Sequence, residues 1–325
     1  MIKKCMFMGL ILFLIIFISG CSSNAKKGNL KKVGLLVPQT INDQVWGTKG
    51  YKGLLKIQSR YNVDFFYKEG VDSEVLAERT VQEFADKGVN LIFGHGSEYS
   101  MYFNRLASKY PDIHFVSFNG NAEVKNTTSL KFESHAMGFF GGMVAAHETK
   151  TNKIGVLATH RWQPENKGFV QGAEFENPDV EVDLRYVGNW DDRELALQML
   201  DDMIADGVDV VYPAGDGYNV PVIEYLKERG LHAVGYVSDQ SDLGETTVLT
   251  STVQHVDKLY ELVASRFVDG TLESGNLYFD FHDGVISMGK FSPNMDEKFQ
   301  NKVKNLVQEY RQYETLPGTN KGEQK

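Results

Sequence analysis

The sequence predicts an α/β protein built as two doubly wound parallel-sheet lobes joined by three extended crossings. Its 325 residues exceed what one small core needs and suit two lobes. From residue 30 onward, short apolar runs of strand type alternate with segments of helical spacing, the order that produces a parallel sheet covered on both faces. The alternation then restarts midway, after a strand-like bridge.

In the first lobe "KKVGLLVP" reads as a strand, and "GTKGYKGLLKIQSRY" as a helix with Tyr51, Leu54, Leu55 and Ile57 at helical spacing. "VDFFYKEG" is a second strand, and "SEVLAERTVQEFADKG" a helix for which Ser73 offers an N-cap. "VNLIFGHGS" and "IHFVSFN" are strands around the helix "YSMYFNRLASKYP". The bridge "TSLKFES" leads to the helix "HAMGFFGGMVAAHETK", and strands and helices alternate again from "NKIGVLATH" to "LHAVGYVSDQ". "VLTSTVQ" reads as a second bridge ahead of the helix "VDKLYELVASRFVDG", and "GNLYFDFHDGVISMG" as a third. A last helix runs through "MDEKFQNKVKNLVQEYRQY". The expected boundaries are residues 30–132 plus 252–281 for lobe 1, residues 133–251 plus 282–316 for lobe 2, and a frayed polar tail at 317–325.

The N-terminus has a basic "MIKK", the apolar run "MFMGLILFLIIFI" and an abrupt polar turn at "SSNAKKGN", the build of a secretory signal over residues 1–20 with a linker at 21–29. The run is short for a retained membrane helix. Ile18-Ser19-Gly20-Cys21 resembles the bacterial lipobox, so Cys21 is the expected lipidation site and the chain is expected at the outer face of the cell membrane, held by acyl chains. Cys5 and Cys21 are the two cysteines; cleavage removes the first and acylation occupies the second, which leaves no thiol for a disulfide or metal. A net charge of -9 and a pI of about 5.4, with no basic stripe, argue against direct nucleic-acid binding.

Two lobes with several crossings make a clamshell, and ligands of such sheets bind beyond the carboxyl ends of the strands. Each polar loop singled out comes after a strand. In "INDQVWG", Trp46 can stack on a planar ligand while Asn42 and Asp43 hydrogen-bond it; equally, Asp43 can cap a helix and Trp46 pack over the lobe. "PAGDGYN" brings Gly215, Asp216 and Gly217, whose backbone can approach a ligand or simply turn. Asp239 in "YVSDQSD" can hold vicinal hydroxyls or cap the next turn of the chain. "HRWQPENKGF" offers Trp162 and Phe169 opposite Trp46, Phe169 having core burial as its alternative. His135 and His147 lack zinc-ligand spacing, and Gly138, Gly141, Gly142, Ala145 and Ala146 around them read as a tightly packed helix. Ser97 in "GHGSE" lacks a nucleophile elbow, so neither catalysis nor a cofactor is expected.

The lipobox, the Asn42-Asp43 loop, "YPDIHFV", "HAMGFFGGMVAA", "KTNKIGV", "GVDVVYPAGDGYN", "SDQ" and "VLTSTVQHVD" occur in an order that resembles the basic membrane protein lipoproteins, the purine-nucleoside receptor A family. The resemblance spans about residues 31 to 317 and implies a type I periplasmic-binding-protein fold. It implies that Asp43 and Trp46 serve the ligand from the first loop, that Phe169 closes on a base, that Gly215 and Gly217 form a ribose loop, and that Asp239 holds the ribose. Gly47 stands where the family usually has Asn, Asn119 where Asp is typical, and Gln254 where Lys is frequent. The implied partners are a nucleoside or similar small polar ligand and an ABC transporter. This leaves two readings: a lipid-anchored binding protein that closes on such a ligand, or a regulatory protein that uses the fold as a sensor or partner surface. With no helix-turn-helix ahead of the lobes, any effect on transcription is expected to be indirect.

Overall fold

The computed structural model describes residues 29–42 and 46–318; Cys21, Asp43 and the tail beyond residue 318 lie outside the described residues. In the first lobe, β1 (Lys32–Leu36), α1 (Trp46–Tyr61), β2 (Asp64–Lys68), α2 (Glu74–Asp86), β3 (Leu91–Gly94), α3 (Glu98–Leu106), β4 (His114–Phe118) and β5 (Thr127–Phe132) follow in chain order. The second lobe takes α4 (His135–Glu148), β6 (Lys153–Ala158), α5 (Pro164–Glu176), β7 (Glu181–Tyr186), α6 (Arg193–Ala205), β8 (Val210–Ala214), α7 (Asn219–Glu228), β9 (His232–Val237) and β10 (Val248–Gln254). The chain returns to the first lobe through α8 (Val256–Asp269) and β11 (Gly275–Phe279), then to the second through β12 (Ile286–Met288) and α9 (Glu297–Tyr313).

The first sheet has the order β11-β5-β4-β3-β1-β2, with every pairing parallel. The second has the order β12-β10-β9-β8-β6-β7 and is mixed, because β12 runs antiparallel to β10 in the register Val253↔Ser287. Residues 280–285 carry the chain from β11 of the first sheet to β12 of the second, so β10 and its antiparallel neighbour β12 are joined through α8 and β11 rather than by a hairpin. The three bridges are thus ordinary strands: β5 and β11 belong to the first sheet, and β10 and β12 to the second. β10 stays in the second sheet through Gln254, so that crossing falls after Gln254 rather than before Thr252.

Strand interiors are near-continuous apolar runs, as two-sided burial demands: Val33, Leu35 and Leu36 of β1, and Val210, Val211 and Tyr212 of β8, are fully buried. Asp192 and Asp296 cap α6 and α9 by accepting from the amides of Leu195 and Phe299. Ser73 occupies the N-cap position of α2, yet its side chain makes no capping bond. Helix α4 is buried along its length. Gly138 and Gly142 meet the backbone of α5, where an added Cβ would lie 2.0 Å from the Glu165 and Phe169 carbonyl oxygens. Gly168 and Gly172 of α5 reciprocate against the His135 and Phe139 carbonyls. The two helices therefore touch backbone to backbone, which fixes the N-terminus of α5 at the cleft. Among the described residues no helix is long and apolar enough to cross a membrane.

Candidate functional site: a cleft between the lobes

The carboxyl ends of the strands of both sheets converge on a cleft of about 570 Å³. From the first lobe come Trp46 at the start of α1, His95 after β3, Asn119 after β4 and Phe132 at the end of β5. The second contributes Trp162, Glu165, Trp190, Asp216, Val237 and Gln254.

Trp46 is fixed in orientation. Its indole Nε1 donates to the His95 carbonyl at 3.3 Å, and one ring face stacks on the His95 imidazole at 4.5 Å. Phe118 and Phe132 pack edge-on around it. His95 is itself clamped: its Nε2 meets the Trp46 carbonyl, which can only accept, so that nitrogen carries a proton, and the Tyr260 hydroxyl lies 2.9 Å from Nδ1. Across the cleft, Trp162 is 60% exposed and stacks on His160, with Trp190 edge-on at 6.1 Å. Planar aromatic surfaces thus stand on both walls.

The floor holds a buried carboxylate. Glu165, at 3% exposure, accepts from Ser134 Oγ at 2.6 Å, Gln163 Nε2 at 3.0 Å and Tyr236 Oη at 3.1 Å. Tyr236 is pushed well above the usual phenol range, first by burial and then by the Glu165 charge. Burial also raises the Glu98 carboxyl.

Two polar contacts bind the lobes to one another. Lys49 of α1 donates from Nζ to the carbonyls of Val237 and Gln254, both at 2.7 Å. Burial lowers this ammonium to about 8, against the opposing charges of Asp257 and Asp216. Gln39 Nε2 donates to Asp191 Oδ2 at 3.0 Å across the mouth. Val237 holds φ at +63°, a costly conformation for a β-branched residue, and in it aims its carbonyl at Lys49.

Of the sequence-predicted residues, Trp46, Asn119, Asp216, Gly217 and Gln254 line this cleft. Asn119 sits at φ +54°, a region that Asn tolerates better than most side chains. Phe169 does not face the cleft: it is fully buried on α5 and stacks on Tyr212 at 5.1 Å, so the aromatic surface of the second lobe is Trp162 with Trp190. Asp239 lies outside as well, exposed and accepting from the amides of Ser241 and Lys290. Gly215 lies against the Tyr218 ring, and Asn42 is exposed beyond Thr40. Glu165, His95 and Trp190 were not singled out; the rule that ligands sit beyond strand ends points to His95 and Trp190, which come after β3 and β7. His135 bonds Gln171, and His147 stacks on Phe299, contacts within the packing of α4.

A family profile described as ABC transporter substrate-binding protein, PnrA-like (Bmp), matches residues 30–319. The chain is similar to the transcriptional activator protein med of Bacillus subtilis (strain 168), with 54% identity over 308 residues covering 95% of this chain and 97% of the relative. It is also similar to the ABC transporter nucleoside-binding protein BmpA of Lactococcus lactis subsp. cremoris, with 24% identity over 84% of this chain and 87% of that protein. A crystal structure of a transcriptional activator of the comK gene from Bacillus halodurans superposes with a TM-score of 0.83 at 51% identity, covering 88% of this chain and 99% of the other. The two-lobed architecture is the periplasmic-binding-protein fold that the sequence implies.

Proposed function

The chain belongs to the Bmp family of PnrA-like ABC transporter substrate-binding proteins, and from that premise we propose that it binds a nucleoside-like small molecule between its lobes. The observation that carries the reading is the pair of aromatic walls, Trp46 on one lobe and Trp162 with Trp190 on the other, around a cleft of about 570 Å³. A planar base fits between such walls, and the polar groups at the strand ends reach its edges and its sugar. The mechanism is a population shift. A ligand that touches both lobes only when they are closed favours the closed state by the free energy of the contacts added there.

The relative named a transcriptional activator supports a regulatory output for this chain. We assign it an indirect one, since a net charge of -9 provides no electrostatic footprint for nucleic acid. Anchoring through Cys21 and supply of ligand to an ABC transporter belong to the same reading. A regulatory protein that keeps the fold as a partner surface without binding a ligand is the second reading, favoured by the placement of Phe169, Gly215 and Asp239 outside the cleft. A thermal-shift panel of nucleosides separates the two. Ligand at about a hundred times its Kd adds roughly 2.7 kcal/mol, a rise in Tm of several degrees that Trp46→Ala and Asn119→Ala reduce. No response across the panel supports the second reading.

A further inference from the structure

The charges lining the cleft are unbalanced. Glu98, Glu133, Glu165, Asp191 and Asp216 face Lys131 and Arg193. Five carboxylates thus outnumber two cations, whose bonds go to neutral acceptors: Lys131 Nζ donates to Asn121 Oδ1 at 2.8 Å, and Arg193 Nε to the Gly217 carbonyl at the cleft at 2.8 Å. The buried Lys49 ammonium is not among the lining residues and is held by two carbonyls.

Glu165 is the sharpest case. A carboxylate offers about four acceptor positions, and three here are taken by the neutral donors Ser134, Gln163 and Tyr236. It forms no ion pair among the described residues, although an ionised carboxylate at this depth is costly without an opposing charge. The same cleft is lined by Trp46, Trp162 and Trp190, whose π-electrons also attract positive charge. Negative side chains within low-dielectric aromatic walls focus a field that favours cations and repels phosphate.

We propose that the cleft selects a positively charged heteroaromatic ring over its neutral and phosphorylated counterparts, with Glu165 as the residue that sets this preference. The inference rests on the nucleoside-binding reading and narrows its ligand class.

Equilibrium titration of the full-length chain with guanosine, 7-methylguanosine and guanosine 5′-monophosphate tests it at mildly acidic pH, where the methylated base is cationic. Thiamine serves as a cationic heteroaromatic probe without ribose. The methylated nucleoside binds about tenfold tighter than guanosine, and the monophosphate about tenfold weaker. Glu165→Gln removes most of the advantage of the methylated form, read as the ratio of its affinity to that of guanosine in the same variant. Glu98→Gln, outside the hydrogen-bond network of Glu165, diminishes the same ratio if the buried variant fails to fold. Guanosine binding as tightly as 7-methylguanosine, or a ratio untouched in both variants, overturns the charge preference and leaves nucleoside binding intact. Thiamine binding without any nucleoside overturns the nucleoside reading and keeps the charge preference. Binding of none of the four overturns both.

Discussion

Asp239 and Phe169 turn away from the cleft for different reasons. Two backbone amides, those of Ser241 and Lys290, capture the Asp239 carboxylate, which is absent from the cleft lining. Asp239→Ala is therefore expected to lower stability by about 1 kcal/mol, the value of a lost charged cap, while leaving any nucleoside-induced rise in Tm unchanged. Abolition of that rise with the fold intact would restore Asp239 to the site. Phe169 lies between Gly168 and Gly172 on the face of α5 turned toward α4, and Tyr212 of β8 takes its ring. A lone helical Phe reads identically in sequence whether it faces a core or a cleft, since periodicity gives a face and not its neighbour.

The contact between α4 and α5 is where a single methyl group has the most leverage. Gly142→Ala places a Cβ 2.0 Å from the Phe169 carbonyl, which belongs to a helix that cannot retreat without disturbing the sheet. The expected loss is about 1–3 kcal/mol or more in chemical denaturation. Gly141→Ala, whose Cβ meets side-chain carbons of Thr252 and Val234 at 3.4 Å and of Phe169 at 3.7 Å, is expected to fall well short of it. Equal losses would show that backbone proximity is not the cause. The run "HAMGFFGGMVAAH" announced a tightly packed helix, because small residues serve little else at such density. Its partner was hidden, since the matching glycines of α5 lie about thirty residues on. The alternation of strands and helices was legible because each element carries its own period. The antiparallel direction of β12 was not: three residues, Ile286–Met288, show the same period in either orientation.

Over the whole molecule, buried histidines tie stability to acidity, His114 and His255 the most shifted among the described residues. Burial lowers His114 to about 4, where it bonds Thr128 Oγ1 at 2.8 Å. His255, beside the crossing after β10, is lowered to about 4 chiefly by burial. Both bind protons more readily when unfolded, near the ordinary 6.5, so the stability they contribute is complete above pH 6.5 and is lost as pH falls through about 4. For the better buried His114 this amounts to roughly 3 kcal/mol. His114→Gln is expected to flatten the fall of Tm between pH 6.5 and 4, and an unchanged acid limb would rule the histidine out as its source. Lys49 carries the same logic from folding to function. Its ammonium is desolvated where α1 lies against the ends of β9 and β10, and a parting of the lobes is expected to return it to water and toward the ordinary 10.5. If ligand capture closes the lobes as proposed, closure is expected to release protons near pH 8 and to be favoured by alkalinity. Calorimetry in two buffers of different ionisation enthalpy would read that proton as a difference in apparent heat, absent in Lys49→Met; equal heats in the native chain would mean that the amine stays buried throughout. Such a coupling would make closure of the two lobes answer to the acidity of the surroundings.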